Sequence, residues 1–266
     1  MPYNLTNRSV LVTGGSKGLG AVICRRFAQE GCNVAINYSS DNEAAEKLAE
    51  DLKQFGGKVI CIKAVCVQQY GFPVSWQKYA DDSSCFFQDA GNLEDCARCV
   101  QETISAFGGI DVLIGNAGWT RFSNPADLNS STEADWDKCY AVNVKGQMAL
   151  LRAALPTFNT NEEGGVFIMT NSIAGVCGQG SSLPYVATKG AQLQMMKSLA
   201  MTQGPKVRVN AVLPGLLLTE WVSDLGDCMW RSRQLTFAKG REIRSGKNQA
   251  ARRSCYAEEG CKFDER

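Results

Sequence analysis

A glycine-rich turn, Thr13-Gly14-Gly15-Ser16-Lys17-Gly18-Leu19-Gly20, follows one apolar run and opens a helical pattern. Residues 9–13 read as a buried strand, and residues 19–30 as a helix that stops at Gly31, as helices often stop at glycine. A strand that enters a helix through a tight turn must return to the sheet by a crossover, so the next strand runs parallel to the first. The pattern repeats along the chain. Residues 33–37 supply a second strand, Asp41 can cap a helix that ends at Gly56-Gly57, and residues 58–63 supply a third strand. Helices over 93–107, 133–158 and 185–202 then precede strands over 111–114, 166–170 and 207–212. This alternation predicts an α/β fold with a doubly wound parallel sheet and helices on both faces, three α/β/α layers in a single domain. Ligands of such sheets lie beyond the carboxyl ends of the strands. Thr13, Asn116, Ser172 and Pro214 all follow strand ends and are expected to meet in one crevice.

Gly14, Gly18 and Gly20 let the backbone approach a pyrophosphate, whose charge suits the free N–H groups at the start of the next helix. Ser16, Lys17 and Leu19 belong to the same cradle. A lone glycine pattern is often only a turn, but its place between a strand and a helix makes dinucleotide binding the expectation. The chain has no histidine. That removes Ser-His-Asp and Cys-His nucleophiles, histidine-held zinc and histidine acid/base catalysis, and leaves Tyr, Lys, Asp, Glu or Cys for proton transfer. Tyr185 and Lys189 are spaced to share one helix face. A phenol titrates near pH ~10 and becomes a usable acid at neutral pH when a cation lowers its pKa. In isolation such a pair is more often an aromatic beside a solvated lysine.

The 266 residues, 44% of them hydrophobic, suffice for a sizeable core. A net charge of +1 gives no general reason to bind nucleic acid or an acidic membrane surface, so a small metabolite is the expected partner. No run of about 18 apolar residues is present, and residues 1–10 lack the apolar core of a signal peptide, which predicts a cytoplasmic protein. Twelve cysteines are scattered through predicted strands and helices and are expected to be reduced thiols. Cys96-Ala97-Arg98-Cys99 lacks a second pair and suits the buried side of a helix, so no metal site is expected.

The glycine turn, Asn116-Ala117-Gly118, Asn143, Ser172, Tyr185-x-x-x-Lys189 and Pro214-Gly215-x-x-x-Thr219 together resemble the short-chain dehydrogenase/reductase family, from about residue 9 to 219. The resemblance implies a Rossmann-type sheet and an NAD(P)-dependent oxidoreductase that moves a hydride between the cofactor and a carbonyl or secondary alcohol. It implies that Tyr185 exchanges the proton, that Ser172 holds the substrate oxygen, that Lys189 lowers the Tyr185 pKa and binds the nicotinamide ribose, and that Asn143 holds a water in a proton relay. Asn116, Ala117 and Gly118 are then expected near the adenosine ribose, and Pro214, Gly215 and Thr219 near the nicotinamide. In the family an acidic residue closing the second strand holds the ribose 2'-hydroxyl of NAD. Here Asn37, Tyr38 and Ser39 stand there, with Lys17 in the glycine turn, and a 2'-phosphate would be attracted rather than repelled; NADP(H) is therefore expected over NAD(H).

Two stretches break the pattern. Residues 65–88 fit neither helical nor strand periodicity, and a plain loop of that length is uncommon in a compact domain. Removing them joins Ala64 to Asp89, which restores a short connection with Asp89 placed to meet the adenine. The segment is an in-frame length whose ends permit splice-site codons, and it reads as an irregular insertion, a retained intron against a genuine surface loop. Residues 222–266 turn basic and irregular where the resemblance calls for a last helix and strand, so the Rossmann domain is expected over 1–221, with a disordered tail and the last strand and helix missing. A homo-oligomer is possible, although the usual interface elements fall in that missing part. The competing function is a noncatalytic dinucleotide-binding or interaction protein, inactivated by the insertion and the aberrant C-terminus.

Overall fold

The computed structural model describes residues 4–64, 93–124 and 126–217. Asp89, Thr219, the 65–88 insertion and the 222–266 tail lie outside the described residues.

Six strands, β1 (Ser9–Val12), β2 (Asn33–Tyr38), β3 (Val59–Lys63), β4 (Val112–Gly115), β5 (Gly165–Thr170) and β6 (Val207–Val212), form one parallel sheet in the order β3-β2-β1-β4-β5-β6. The register pairs Val10 with Val34 on one side and with Val112 on the other. Successive side chains alternate across the sheet. Leu11, Leu113, Phe167, Met169, Val207 and Val209 point into one core, where they meet α3 (Leu93–Phe107), α5 (Gln147–Thr160) and α7 (Leu183–Gln203). Val10, Val12, Val34, Ile36, Val112 and Ile114 point into the other and meet α1 (Gly18–Gln29) and α2 (Asn42–Lys53). The result is the three-layer α/β/α arrangement that the alternating pattern predicts. Burying each of these large aliphatic or aromatic side chains contributes about 1.5–3 kcal/mol, so the two apolar faces of the sheet fix the layering.

Helix starts follow local chemistry. Asp41 caps α2 by accepting from the Ala44 N–H at 2.9 Å, and Ser182 caps α7 by accepting from the Tyr185 N–H at 3.3 Å. Thr132 and Asp135 form a reciprocal capping box at the start of α4 (Glu133–Tyr140). Residues 133–158, expected as one helix, are interrupted: α4 passes through a π-helical segment, Ala141–Gly146, before α5 begins. Such wide turns are rare and re-aim side chains. A short α6 (Ala174–Cys177) between β5 and α7 also went unforeseen in the sequence pattern. Cys96 and Cys99 lie fully buried in the core beneath α3, in keeping with a structural role.

The strand order runs outward in both directions from β1 and β4. The crevice between their carboxyl ends is the topological switch point.

Candidate active site

Four strand ends bring the site together. At the end of β1, Gly14 takes a left-handed backbone (φ +59), and a Cβ there would press against Ala117 Cα at 3.3 Å. A Cβ on Gly20 would drive into the Gly14 carbonyl oxygen, so α1 starts close against the turn only because residue 20 is glycine. Lys17, at the N-cap of α1, makes no side-chain cap bond, which leaves the first-turn N–H groups facing the crevice without a side-chain partner. Asn37 and Asn116 brace the turn. Asn37 accepts from the Gly14 N–H through Oδ1 at 3.3 Å and donates through Nδ2 to the carbonyls of Ile62 and Ala64. Asn116 Nδ2 donates to the carbonyls of Thr13 (3.0 Å) and Gly14 (3.1 Å), while the N–H groups of Asn116 and Ala117 donate to Thr13 Oγ1.

Asn37 is thus buried under the turn, whereas Ser39, just beyond β2, is exposed. Lys17 Nζ lies 2.6 Å from Asp41 Oδ2, and that contact is the main reason the Asp41 carboxyl is held below its usual range. Ser16 and Leu19 are half-buried along the cradle, with Gly18 exposed in a left-handed conformation (φ +50). Gly118 is half-buried after β4. Pro214 follows β6 and its carbonyl accepts from the Ile173 N–H at 3.1 Å, with Gly215 exposed beside it.

The proton-handling groups sit where β5 gives way to α7. Ser172 Oγ accepts from the Ala174 N–H at 3.1 Å, and the Ser172 hydroxyl stands close enough to the Tyr185 phenol to favour its ionised form. Tyr185 lies in the first turn of α7. Burial pushes its pKa above the ordinary phenol value, the nearby Ser172 hydroxyl opposes that rise, and the Cys139 thiol adds to it. Lys189 is buried at 2% exposure, its ammonium 5.4 Å from the Tyr185 ring centre. It donates to the Thr170 carbonyl at 2.8 Å and to Gln192 Oε1 at 3.0 Å, and burial brings its pKa down to about 8.

Asn143 reaches the site from the π-helical segment. Its Oδ1 accepts from the Trp119 N–H at 2.8 Å, and its Nδ2 donates to the Trp119 carbonyl (3.0 Å), Cys139 Sγ (3.2 Å) and Thr188 Oγ1 (3.1 Å). The side chain pins the loop after β4 and makes no bond to Lys189. Sequence reasoning missed four groups here. Asn171 Nδ2 donates to the Lys189 carbonyl at 2.9 Å while its Oδ1 accepts from the Ser172 N–H at 2.6 Å, and Thr170 Oγ1 donates to Asn116 Oδ1 at 3.2 Å. Thr188 and Gln192 are polar residues fully buried on the Lys189 side of α7. The available signal was a run of polar residues at helical spacing in an otherwise apolar helix.

The sequence model of the short chain dehydrogenase family matches residues 8–69 and 75–229. The chain belongs to that family. The candidate ketoacyl reductase 2 of the granaticin polyketide synthase from Streptomyces violaceoruber is 33% identical over 214 residues, covering 80% of this chain and 74% of that one. The 3-oxoacyl-acyl-carrier-protein reductase FabG of Staphylococcus aureus is 30% identical, covering 83% and 78%. A short chain dehydrogenase structure from Burkholderia cenocepacia, in complex with NADP, superposes with a TM-score of 0.68 at 29% identity, covering 82% of this chain and 78% of that one. As a short chain dehydrogenase the chain is an NAD(P)-dependent oxidoreductase acting on small molecules. Its own geometry fits a dinucleotide: the uncapped start of α1 offers N–H groups to a pyrophosphate, and the glycine turn leaves the space a Cβ would fill. Among the described residues no helix is long and apolar enough to cross a membrane.

Proposed function

We propose that the chain interconverts a carbonyl and a secondary alcohol of a small organic substrate, with Tyr185 as the acid/base group and NADP(H) preferred. The observation that carries this reading is the Tyr185 phenol one helical turn from the buried Lys189 ammonium, 5.4 Å from its ring, with Ser172 beside it after β5. Bound NADPH supplies the hydride.

The residues of the chain supply the rest. Tyr185, protonated at neutral pH, gives its proton to the substrate oxygen, and Ser172 stabilises the charge that develops there. Lys189 is charged below about pH 8, and its buried positive charge favours the phenolate left after transfer. Lys17 at the head of α1 and the absence of a carboxylate over Asn37, Tyr38 and Ser39 support NADP(H) over NAD(H), as does the similarity to a structure that holds NADP. We assign the catalytic domain to residues 1–221, with 65–88 as an insertion within it.

The test is turnover of NADPH against a panel of ketones. Tyr185→Phe keeps the ring and its packing and removes the proton, so kcat is expected to fall by at least about 10²-fold while NADPH binding, read by cofactor fluorescence, stays within twofold or so. In the unmodified enzyme kcat/KM for reduction is expected to decline above about pH 8, as Lys189 loses its charge. Persistent turnover in Tyr185→Phe defeats the mechanism.

A further inference from the structure

Gln192 lies one turn beyond Lys189 on α7 and is 0% exposed. Its Oε1 accepts from Lys189 Nζ at 3.0 Å, and its Nε2 has no hydrogen-bond partner. A buried amide donor without a partner costs free energy, and a methionine or leucine would fill the same space without that cost. What the amide provides, and an apolar side chain does not, is an acceptor for the ammonium. We propose that Gln192 is a positioning residue for Lys189, holding its charged head against the end of β5 in reach of Tyr185. The proposal rests on the role given to Lys189 above.

The geometry makes the acceptor necessary. Among the described residues Lys189 Nζ has two acceptors, the Thr170 carbonyl and Gln192 Oε1. The Thr170 carbonyl belongs to the sheet end, and the Thr170 side chain ties that end to Asn116 and so to the glycine turn. Among the described residues Gln192 is therefore the one side-chain acceptor on the ammonium, and its removal leaves the strand end intact. The titratable groups facing Lys189 are Tyr185 on its own helix and Cys139 on α4, with Asp135 behind Cys139 and paired to Arg121. Lys145 of the π-helical segment is half-buried, while Cys177 of α6 and Arg208 of β6 are exposed. No carboxylate among the described residues bonds the ammonium, so the neutral amide must hold it.

The sign of the pH effect follows. Lys189 titrates near 8 in the folded chain and at 10.5 when exposed, so its burial costs stability at neutral pH and the cost is relieved as pH rises through that interval. Removing the acceptor adds to the cost only while the amine is charged. In the full-length protein, Gln192→Met is expected to raise the unfolding equilibrium constant about tenfold at pH 7 and less than about threefold at pH 10, and this pH dependence is expected to vanish in a Lys189→Met background. The alkaline limb of kcat/KM is expected to move down by about one pH unit in Gln192→Met and upward in Gln192→Glu, whose carboxylate holds the ammonium more strongly. The Gln192→Glu shift is measurable even if Gln192→Met does not fold. An equal loss at both pH values, unchanged by Lys189→Met, or a Gln192→Glu profile that does not move, overturns the proposal. Lys189→Met with full turnover would instead defeat the catalytic reading of Lys189 and leave the pairing standing, so the two failures are separable.

Discussion

Lys17 and Asp41 place opposite charges at the rim of the cofactor cradle, 2.6 Å apart. In the proposed NADP(H) complex a 2'-phosphate drawn to Lys17 would be repelled by the Asp41 carboxylate, so the pair would temper the preference that Lys17 alone would give. Asp41 also caps α2, and serine keeps a capping oxygen while removing the charge. Asp41→Ser is therefore expected to tighten NADPH binding about threefold to tenfold at low ionic strength, to leave NADH unchanged, and to lose the gain at high salt. Titrations of both cofactors by fluorescence check this; equal changes for the two cofactors contradict a charge effect. The sequence showed Lys17 and the lack of a carboxylate at Asn37, Tyr38 and Ser39, because both are matters of residue type at a known offset from a strand. It did not show that Asp41 folds back over Lys17, since that contact depends on how the loop after β2 turns.

The same division runs through the elements. Strands and helices were legible wherever apolar residues kept a period of two or of 3.6, and the six strands stand where the pattern put them. The π-helical segment was not, because one extra residue in a helical turn leaves the apolar spacing nearly unchanged while moving Asn143 onto Trp119. Nor was the interlock of β4 with α5 visible. Gly115 ends β4, and a Cβ there would overlap Gln147 Oε1, whose amide also donates through Nε2 to the Ala117 carbonyl at 3.1 Å. Gly115→Ala is expected to destabilise the chain by about 1–3 kcal/mol through overpacking, and Gln147→Ser, which withdraws the obstructing amide, is expected to recover most of that loss. Denaturant midpoints of the two single variants and the double variant measure the coupling. Additive losses would show that Gly115 answers to some other contact.

At the scale of the whole chain, the question is what the sheet requires between β3 and α3. Arg98, in the second turn of α3, donates to the Lys63 carbonyl at 3.0 Å and pairs with Asp95 and Glu102, so the end of β3 and the start of α3 already lie side by side. A connection of a few residues spans such a gap, as strand-to-helix loops in α/β units commonly do. Joining Ala64 directly to Asp89 leaves five residues between Lys63 and Leu93 and removes 24. Shortening the loop in this way lowers the entropy lost on closing it by about 1.5 kcal/mol. The shortened chain is accordingly expected to keep the far-ultraviolet spectrum and cofactor affinity of the full chain and to unfold at a higher denaturant midpoint. Because Ser172, Tyr185 and Lys189 stand at β5 and α7, on the far side of the switch point from β3, kcat is expected to stay within about twofold. A shortened chain that loses its cofactor affinity or its cooperative unfolding would mean that residues 65–88 contribute to the fold, and the domain would then have to be defined with them inside it.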